Sequence, residues 1–252
     1  MTRPLPAFIP ALLPPVLLVA AWQAASATGL FPPQVLVPPS EVASTLVALT
    51  TNGELTSHLA QSLFRLLSGF AIGGAAGLAF GTILALSKWA EALFSPLFLA
   101  VRQVPVLAFV PVFVLLLGIE EGFKITIVAV ATFFPVALAT FDGVRGIPKG
   151  WLEVARVYRT PPIALVTHIL IPATVPPVLT GLRIALSRAW LVLVAAELLA
   201  ADSGIGQMME MGRQMFRIDV VLAGVIVSGL IGFALDRGAK WIERRATRWR
   251  TA

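Results

Sequence analysis

Six apolar runs approach or exceed the ~20 residues that carry a helix across ~30 Å of hydrocarbon. They cover roughly residues 7–30, 58–86, 94–117, 123–141, 178–200 and 220–235. The runs are helical in length and rich in Leu, Ala, Val and Gly, not the ten-residue alternating segments of a membrane β-barrel. In a bilayer every amide needs an internal partner, so such a chain is expected to be an all-α integral membrane protein of six spans. Charged residues make up 13% of the chain, about half the usual share of a soluble domain.

Charge and composition exclude several functions. The net charge of +6 fits cationic loops flanking membrane spans, and no soluble basic domain is present to bind nucleic acid. The chain has no cysteine, which removes disulfides, thiolate metal ligands and a cysteine nucleophile. With only Arg3 ahead of a long, proline-containing apolar run, no cleavable signal peptide is evident. A GxxxxGK[ST] phosphate loop, an Asp-rich metal site and HExxH are all absent, so no catalytic or metal-binding residue is expected.

Within the second run, Gly69, Gly73, Gly77 and Gly81 recur every four residues. This spacing predicts a stripe on one helix face, where a neighbouring helix can approach closely. Between the first two runs, FPPQVLVPPSEVASTLVAL predicts extended backbone and then an interfacial helix with Ser40 as its N-cap. The third run contains Pro105 and Pro111, the fourth Pro135.

Orientation follows from where Lys and Arg fall. With six spans and the N-terminus inside, the cytoplasmic set is Arg3, Lys88, Arg145, Lys149, Arg156, Arg159, Arg237, Lys240, Arg244, Arg245, Arg248 and Arg250. The outside set is Lys124, Arg213 and Arg217, and Arg65, Arg102, Arg183 and Arg188 fall within runs. Twelve against three of nineteen places both termini, the 144–177 loop and the basic tail at 236–252 in the cytoplasm. The chain is read as a single membrane domain over 1–252.

That loop, centred on WLEVARVYRTPPIALVTHILIPATVPP (151–177), is too charged to lie in hydrocarbon. A helix is expected from Pro148 to Tyr158, with Arg156 and Arg159 near its C-terminus to suit the helix dipole. Pro161-Pro162 ends it, and a second short helix can start at Pro162. Its face Ile163, Val166, Ile169 and Leu170 suits the bundle or a partner. On physics alone this is either a docking surface or an ordinary interfacial loop.

Charges inside runs each need a reason, since an Arg at the bilayer centre costs about 2.5–3.5 kcal/mol on insertion scales. Arg65 and Arg183 are expected near span ends, where their side chains can snorkel. Arg188 sits deeper and is expected either to pair with another span or to line a path. Glu197 suits an extracellular gate or a helix cap. Arg102, beside Gln103 and just before Pro105, is read as an anion-attracting residue on the path or as an inter-helix hydrogen-bond donor. His58 and His168 are read as structural, and the tail RGAKWIERRATRWR is expected to meet anionic lipid.

Glu153-Val154-Ala155, Arg159, then Ile169, Ile171 and Pro172 resemble the EAA motif, EAA-x3-G-x9-I-x-LP, of permease subunits of bacterial ABC importers. Val154, Arg159 and Ile171 depart from it, Arg159 at the motif's glycine. The stretches LFPPQVLVPPSEV, SLFRLLSGF, VRQVPVLAFVPVFVLLLGI, FFPVALATFDGVR, TGLRIALSRAWLVLVAAELL, ADSGIG and LDRGAKWIERR resemble the nitrate, taurine and aliphatic-sulfonate group over nearly the full length. The resemblance implies a type I importer permease in the bacterial inner membrane. It also implies a second permease copy, two cytoplasmic ATPase subunits that use ATP and Mg, and an extracytoplasmic binding protein. Glu153, Val154, Ala155, Arg156, Arg159, Ile169 and Pro172 would then couple to the ATPase, and Arg102, Gln103, Arg188 and Glu197 would line a path for a small anion. Import of a pyrimidine-type vitamin precursor on the same scaffold stays open. An ion-coupled secondary transporter is a weaker alternative, since it would show inverted repeats and mid-membrane acids; an intramembrane enzyme lacks any nucleophile–base pair.

Overall fold

A computed structural model describes residues 8–28, 32 and 36–250, and every regular element among them is helical. Arg3, the ends of the first run at Ala7 and Leu30, and Phe31 and Pro33–Val35 of the following stretch lie outside the described residues. In chain order the helices are α1 (Phe8–Ala27), α2 (Pro39–Thr51), α3 (Glu54–Leu86), α4 (Lys88–Val101), α5 (Val110–Leu117), α6 (Glu121–Arg145), α7 (Lys149–Val157), α8 (Pro162–Leu165), α9 (Ile171–Ala200), α10 (Ile205–Gln214) and α11 (Ile218–Ala246).

The six expected spans are not all present as single helices. Four helical segments are long and apolar enough to cross a membrane, built on α3, α6, α9 and α11, and a fifth is possible if α4 and α5 count as one broken span. The third run does not cross straight. It stops at Val101, passes through a 3₁₀ turn at Val106–Phe109, and bends by 88°. Pro105 has no N–H to continue the helix and disfavours helical backbone at Val104, which lies in a bend. In the first run α1 covers Phe8–Ala27, 20 residues, about 30 Å at 1.5 Å per residue, close to the thickness of the hydrocarbon layer. The helix that carries the fifth run starts at Ile171, seven residues before the run expected from about 178, so Pro172, Pro176 and Pro177 are helical. Pro172 lies in the first turn, where its missing donor costs nothing, and a π turn at Val166–Leu170 absorbs the irregular entry.

The glycine stripe forms the central packing, α3 against α6. A Cβ built on Gly73 would stand 2.1 Å from the Ala129 carbonyl oxygen, on Gly81 2.3 Å from that of Ala137, and on Gly69 2.7 Å from that of Ile125. Backbones this close leave no room for any side chain at the contact. Phe80, Phe98, Phe133 and Phe134 stack beside it, with ring centroids 5.2–6.2 Å apart. A second core gathers Val42, Leu49, Leu66, Phe123, Ile127, Trp190, Leu193, Ile205 and Met208 where α2, α10 and α11 meet α3, α6 and α9.

Ser40 is not the N-cap of α2. The helix begins one residue earlier, capped by Pro38 with no side-chain bond, because proline at the first position already fixes φ for helix entry. Nor does α2 lie free at an interface: Val42, Thr45 and Leu49 are buried, and the Thr45 hydroxyl donates to Asp219 of α11 at 2.8 Å.

Candidate functional site

Two ends of the bundle and one stretch between them hold the polar chemistry. At the α10 end, Arg65 does not snorkel as expected; its side chain is fully buried. Its Nε and one terminal nitrogen donate to the two oxygens of Glu121 at 2.7 and 2.5 Å. The remaining donors reach Glu197 at 2.8 Å, the Ser203 carbonyl at 2.7 Å and the Ser203 hydroxyl at 2.6 Å. All five guanidinium N–H groups thus have partners.

Glu197, expected at a gate or a cap, caps α10. It accepts from the Gly206 N–H at 3.1 Å and from the Ser62 hydroxyl at 2.9 Å, and is itself buried. Ser62 in turn accepts from the Ile205 N–H, and His58 Nδ1 accepts from the Gly204 N–H at 3.0 Å, a structural role as expected. Gly204 turns at φ +107°, and a Cβ there would sit 2.3–2.5 Å from the Glu197 carboxylate, so no other residue fits. Lys124, counted in the outside set of cations from the sequence, has a buried side chain and bonds Asp202 at 2.5 Å and Glu121 at 3.4 Å. The network ties the 201–204 turn to α3, α6 and α9. Sequence reasoning missed Ser62, Glu121, Lys124, Asp202 and Ser203; the signal available was opposite charge at neighbouring helix ends.

At the α7 end, the chain folds as α7, a tight turn and α8. Arg159 takes φ +50°. The Thr160 N–H reaches back to the Ala155 carbonyl at 2.9 Å and the Arg159 N–H to that of Arg156 at 3.0 Å, the paired bonds of a Schellman C-cap. The left-handed position is the one a glycine fills without Cβ strain. On α7 only Ala155 is buried. Glu153, Val154 and Arg156 are exposed, with Trp151 and Val157 beside them and Tyr158 just beyond. Ile163 and Val166 are exposed too, so of the two expectations for this face, bundle or partner, packing on the bundle covers only part of it. Val154, Ile169 and Pro172 meet Asp142, Glu243 and Trp249 around a cavity of about 1140 Å³.

Between the ends lie Arg102 and Arg188. Arg102 terminates α4 at the bend, half-buried, with Gln103 exposed beside it. Arg188 is exposed on the same face of α9 as Ile184 and Leu191. It stands five residues from Arg183, about 7 Å along the helix, and nine from Glu197, about 13 Å, which puts it well inside the apolar segment. Arg65, Lys124, Arg183, Glu197 and Asp219 all have ionic partners. Arg183 reaches Glu243 at 3.1 Å, too oblique for a hydrogen bond, and Asp236 at 3.9 Å. Arg102 and Arg188 have no partner among the described residues, so the pairing entertained for Arg188 is not made within this chain. No group of three or more His, Asp or Glu that could hold a metal occurs among the described residues.

Comparison with known proteins agrees with this architecture. Residues 77–248 match the family described as binding-protein-dependent transport system inner membrane component. The chain is 38% identical over 238 residues to a protein named as the aliphatic sulfonates transport permease SsuC of Escherichia coli K12, covering 94% of this chain and 90% of that one. It is 36% identical over 241 residues to its Bacillus subtilis 168 namesake, covering 96% and 87%. It is 32% identical over 237 residues to the taurine transport system permease TauC of E. coli K12, covering 92% and 86%. Among solved structures, the inward-facing MetNI methionine ABC transporter matches with a TM-score of 0.57 at 20% identity, over 72% of this chain and 93% of that one. An amino acid ABC transporter with histidines matches with 0.67 at 14%, over 79% and 97%; both likenesses concern the fold. An all-helical bundle with these spans and a family match over most of its length belongs to the inner membrane components of binding-protein-dependent transport systems.

Proposed function

We propose that this chain is the transmembrane subunit of an ATP-driven ABC importer that passes a small anion of the sulfonate or taurine type. Membership of the family makes it a transport component of the inner membrane, not an enzyme. The anionic cargo is supported by the names of its relatives and carried by one structural observation: within the apolar segments, the cations lacking a carboxylate partner among the described residues are Arg102 and Arg188. An Arg held inside hydrocarbon without a counter-ion is stable only where it borders water or a cavity. There its charge attracts an anion. The relatives' names give no support to a pyrimidine-type cargo.

In this reading two permease copies enclose the path, with the exposed Ile184–Arg188–Leu191 face of α9 and the bend at Arg102-Gln103 turned toward it. Glu197 serves the path indirectly, by fixing the 201–204 turn. The Lys and Arg distribution supports cytoplasmic termini, so α7 and α8 face the ATPase. The exposed Glu153, Val154, Arg156 and Val157 form the docking surface, while Ile169 and Pro172 join it to α9. ATP and Mg are handled by the two partner ATPase subunits. A binding protein delivers the anion at the α10 end, and closing of the ATPase pair moves the spans as rigid bodies.

Uptake into proteoliposomes holding the permease, its ATPase and its binding protein tests this. Taurine or an alkanesulfonate should accumulate with ATP. Arg188→Gln should lower that uptake at least tenfold while the complex still assembles. Absence of any sulfonate-stimulated ATP hydrolysis or uptake would overturn the proposal.

A further inference from the structure

The C-terminal part of α11 carries a feature that transport does not use. Its 29 residues extend about 43 Å at 1.5 Å per residue, so about 13 Å outlasts a ~30 Å hydrocarbon layer. At about 100° per residue, Arg237, Lys240, Trp241, Arg244 and Arg245 fall within a sector of about 140°. Ile226, Leu230 and Phe233, exposed by 36%, 62% and 60%, lie in the same sector one to three turns earlier. One continuous face therefore changes from apolar to basic and aromatic as it runs toward the C-terminus. The Arg237 guanidinium lies over Phe233 at 5.0 Å and that of Arg245 over Trp241 at 5.4 Å, with Trp241 61% exposed.

The acids of this stretch point elsewhere. Asp236 and Glu243 lie on another flank, where both face Arg183 of α9 and Glu243 accepts from the Thr180 hydroxyl at 2.5 Å. A merely solvated tail would have no reason to segregate its charges in this way. The arrangement matches the boundary of a bilayer, where acyl chains give way to phosphates and indole rings prefer to sit. Arginine stacked on a ring still offers in-plane N–H groups to a phosphate.

We infer that this face is a binding site for the headgroups of anionic phospholipid. Lipid phosphates engage Arg237, Lys240, Arg244 and Arg245, Trp241 lies at the acyl boundary, and Glu243 on the other flank ties the anchored end to α9. The inference goes beyond the transport reading and does not depend on which anion is carried.

The full-length permease, in complex with its ATPase, is extracted from vesicles of equal phosphatidylglycerol and phosphatidylcholine, and the retained lipid is measured. The wild-type chain should retain phosphatidylglycerol selectively, and less of it as salt rises. Lys240→Gln/Arg244→Gln/Arg245→Gln should lower phosphatidylglycerol affinity by roughly 100-fold at low salt, the effect expected of three surface charges. Arg244→Lys/Arg245→Lys, which keeps the charge and guards against misfolding, should retain most of it. Equal retention of both lipids by the wild type, or unchanged selectivity in the triple glutamine variant, would overturn the inference. So would loss of ATPase co-purification without loss of phosphatidylglycerol, which would make this face a protein-docking surface.

Discussion

Replacing Arg65 with alanine removes five of the donors that hold the α10 end together, from a side chain with 0% exposure. Glu121 is 49% exposed and turns to water at little cost. Glu197 cannot: its side chain is 0% exposed, and it keeps only the Ser62 hydroxyl and the Gly206 N–H. Leaving one member of a buried ion pair alone costs about 3–5 kcal/mol. At roughly 2–4 °C per kcal/mol for a chain of this size, the midpoint should fall by about 6–20 °C. Thermal unfolding of the detergent-solubilised permease, followed by size-exclusion, reads this directly. Arg65→Met/Glu197→Leu removes both charges and should recover most of the loss, because an apolar pair of similar volume carries no desolvation penalty. Arg65→Ala within about 1 kcal/mol of wild type would refute the reasoning. A double variant as unstable as the two single variants summed would do so too, since the charges would then not be coupled.

Other outcomes follow from single contacts. Gly73→Ala places a methyl group 2.1 Å from the Ala129 carbonyl and should destabilise by about 1–3 kcal/mol through forced separation of α3 and α6, read as lost expression or a lowered midpoint. Arg159→Gly relieves the φ +50° backbone and should stabilise by about 1 kcal/mol, read as a raised midpoint; a drop in stability would show that the arginine side chain holds the turn. Glu153→Lys, on the exposed face of α7, should abolish ATPase co-purification without moving the permease midpoint. Arg102→Ala should reduce anion uptake with the complex intact, and full uptake would remove Arg102 from the path.

The loop at the α7 end was legible because its signals are local. Pro148 and the Pro161-Pro162 pair bound α7, and α8 starts at Pro162, as proline stereochemistry requires. The left-handed turn was legible only in part. The family's glycine pointed to it, but an arginine at that position hides a positive φ until the backbone is seen. The expected glycine packing face appeared because every-fourth spacing needs no tertiary information.

Span number was harder. Apolar run length does not distinguish a crossing helix from one bent by 88°, because the same prolines occur in both, and tolerance for freed amides depends on neighbouring helices. Arg65 and Lys124 were misplaced for a related reason. Arg65 near a span end reads as snorkelling and Lys124 as an outside cation until a partner is known, and their partners lie 56 and 78 residues away.

The sequence by itself determined a helical membrane protein, a close-packing glycine face on α3, the prolines that bound α7 and α8, and the family, because each rests on period, composition or short-range backbone chemistry. Only the tertiary structure decided which charges are matched. Pairing depends on distances between helices that no local pattern encodes. It drew Arg65, Glu197 and Lys124 into a closed network and left Arg102 and Arg188 without partners among the described residues, and the proposal that these two face the cargo rests on that difference.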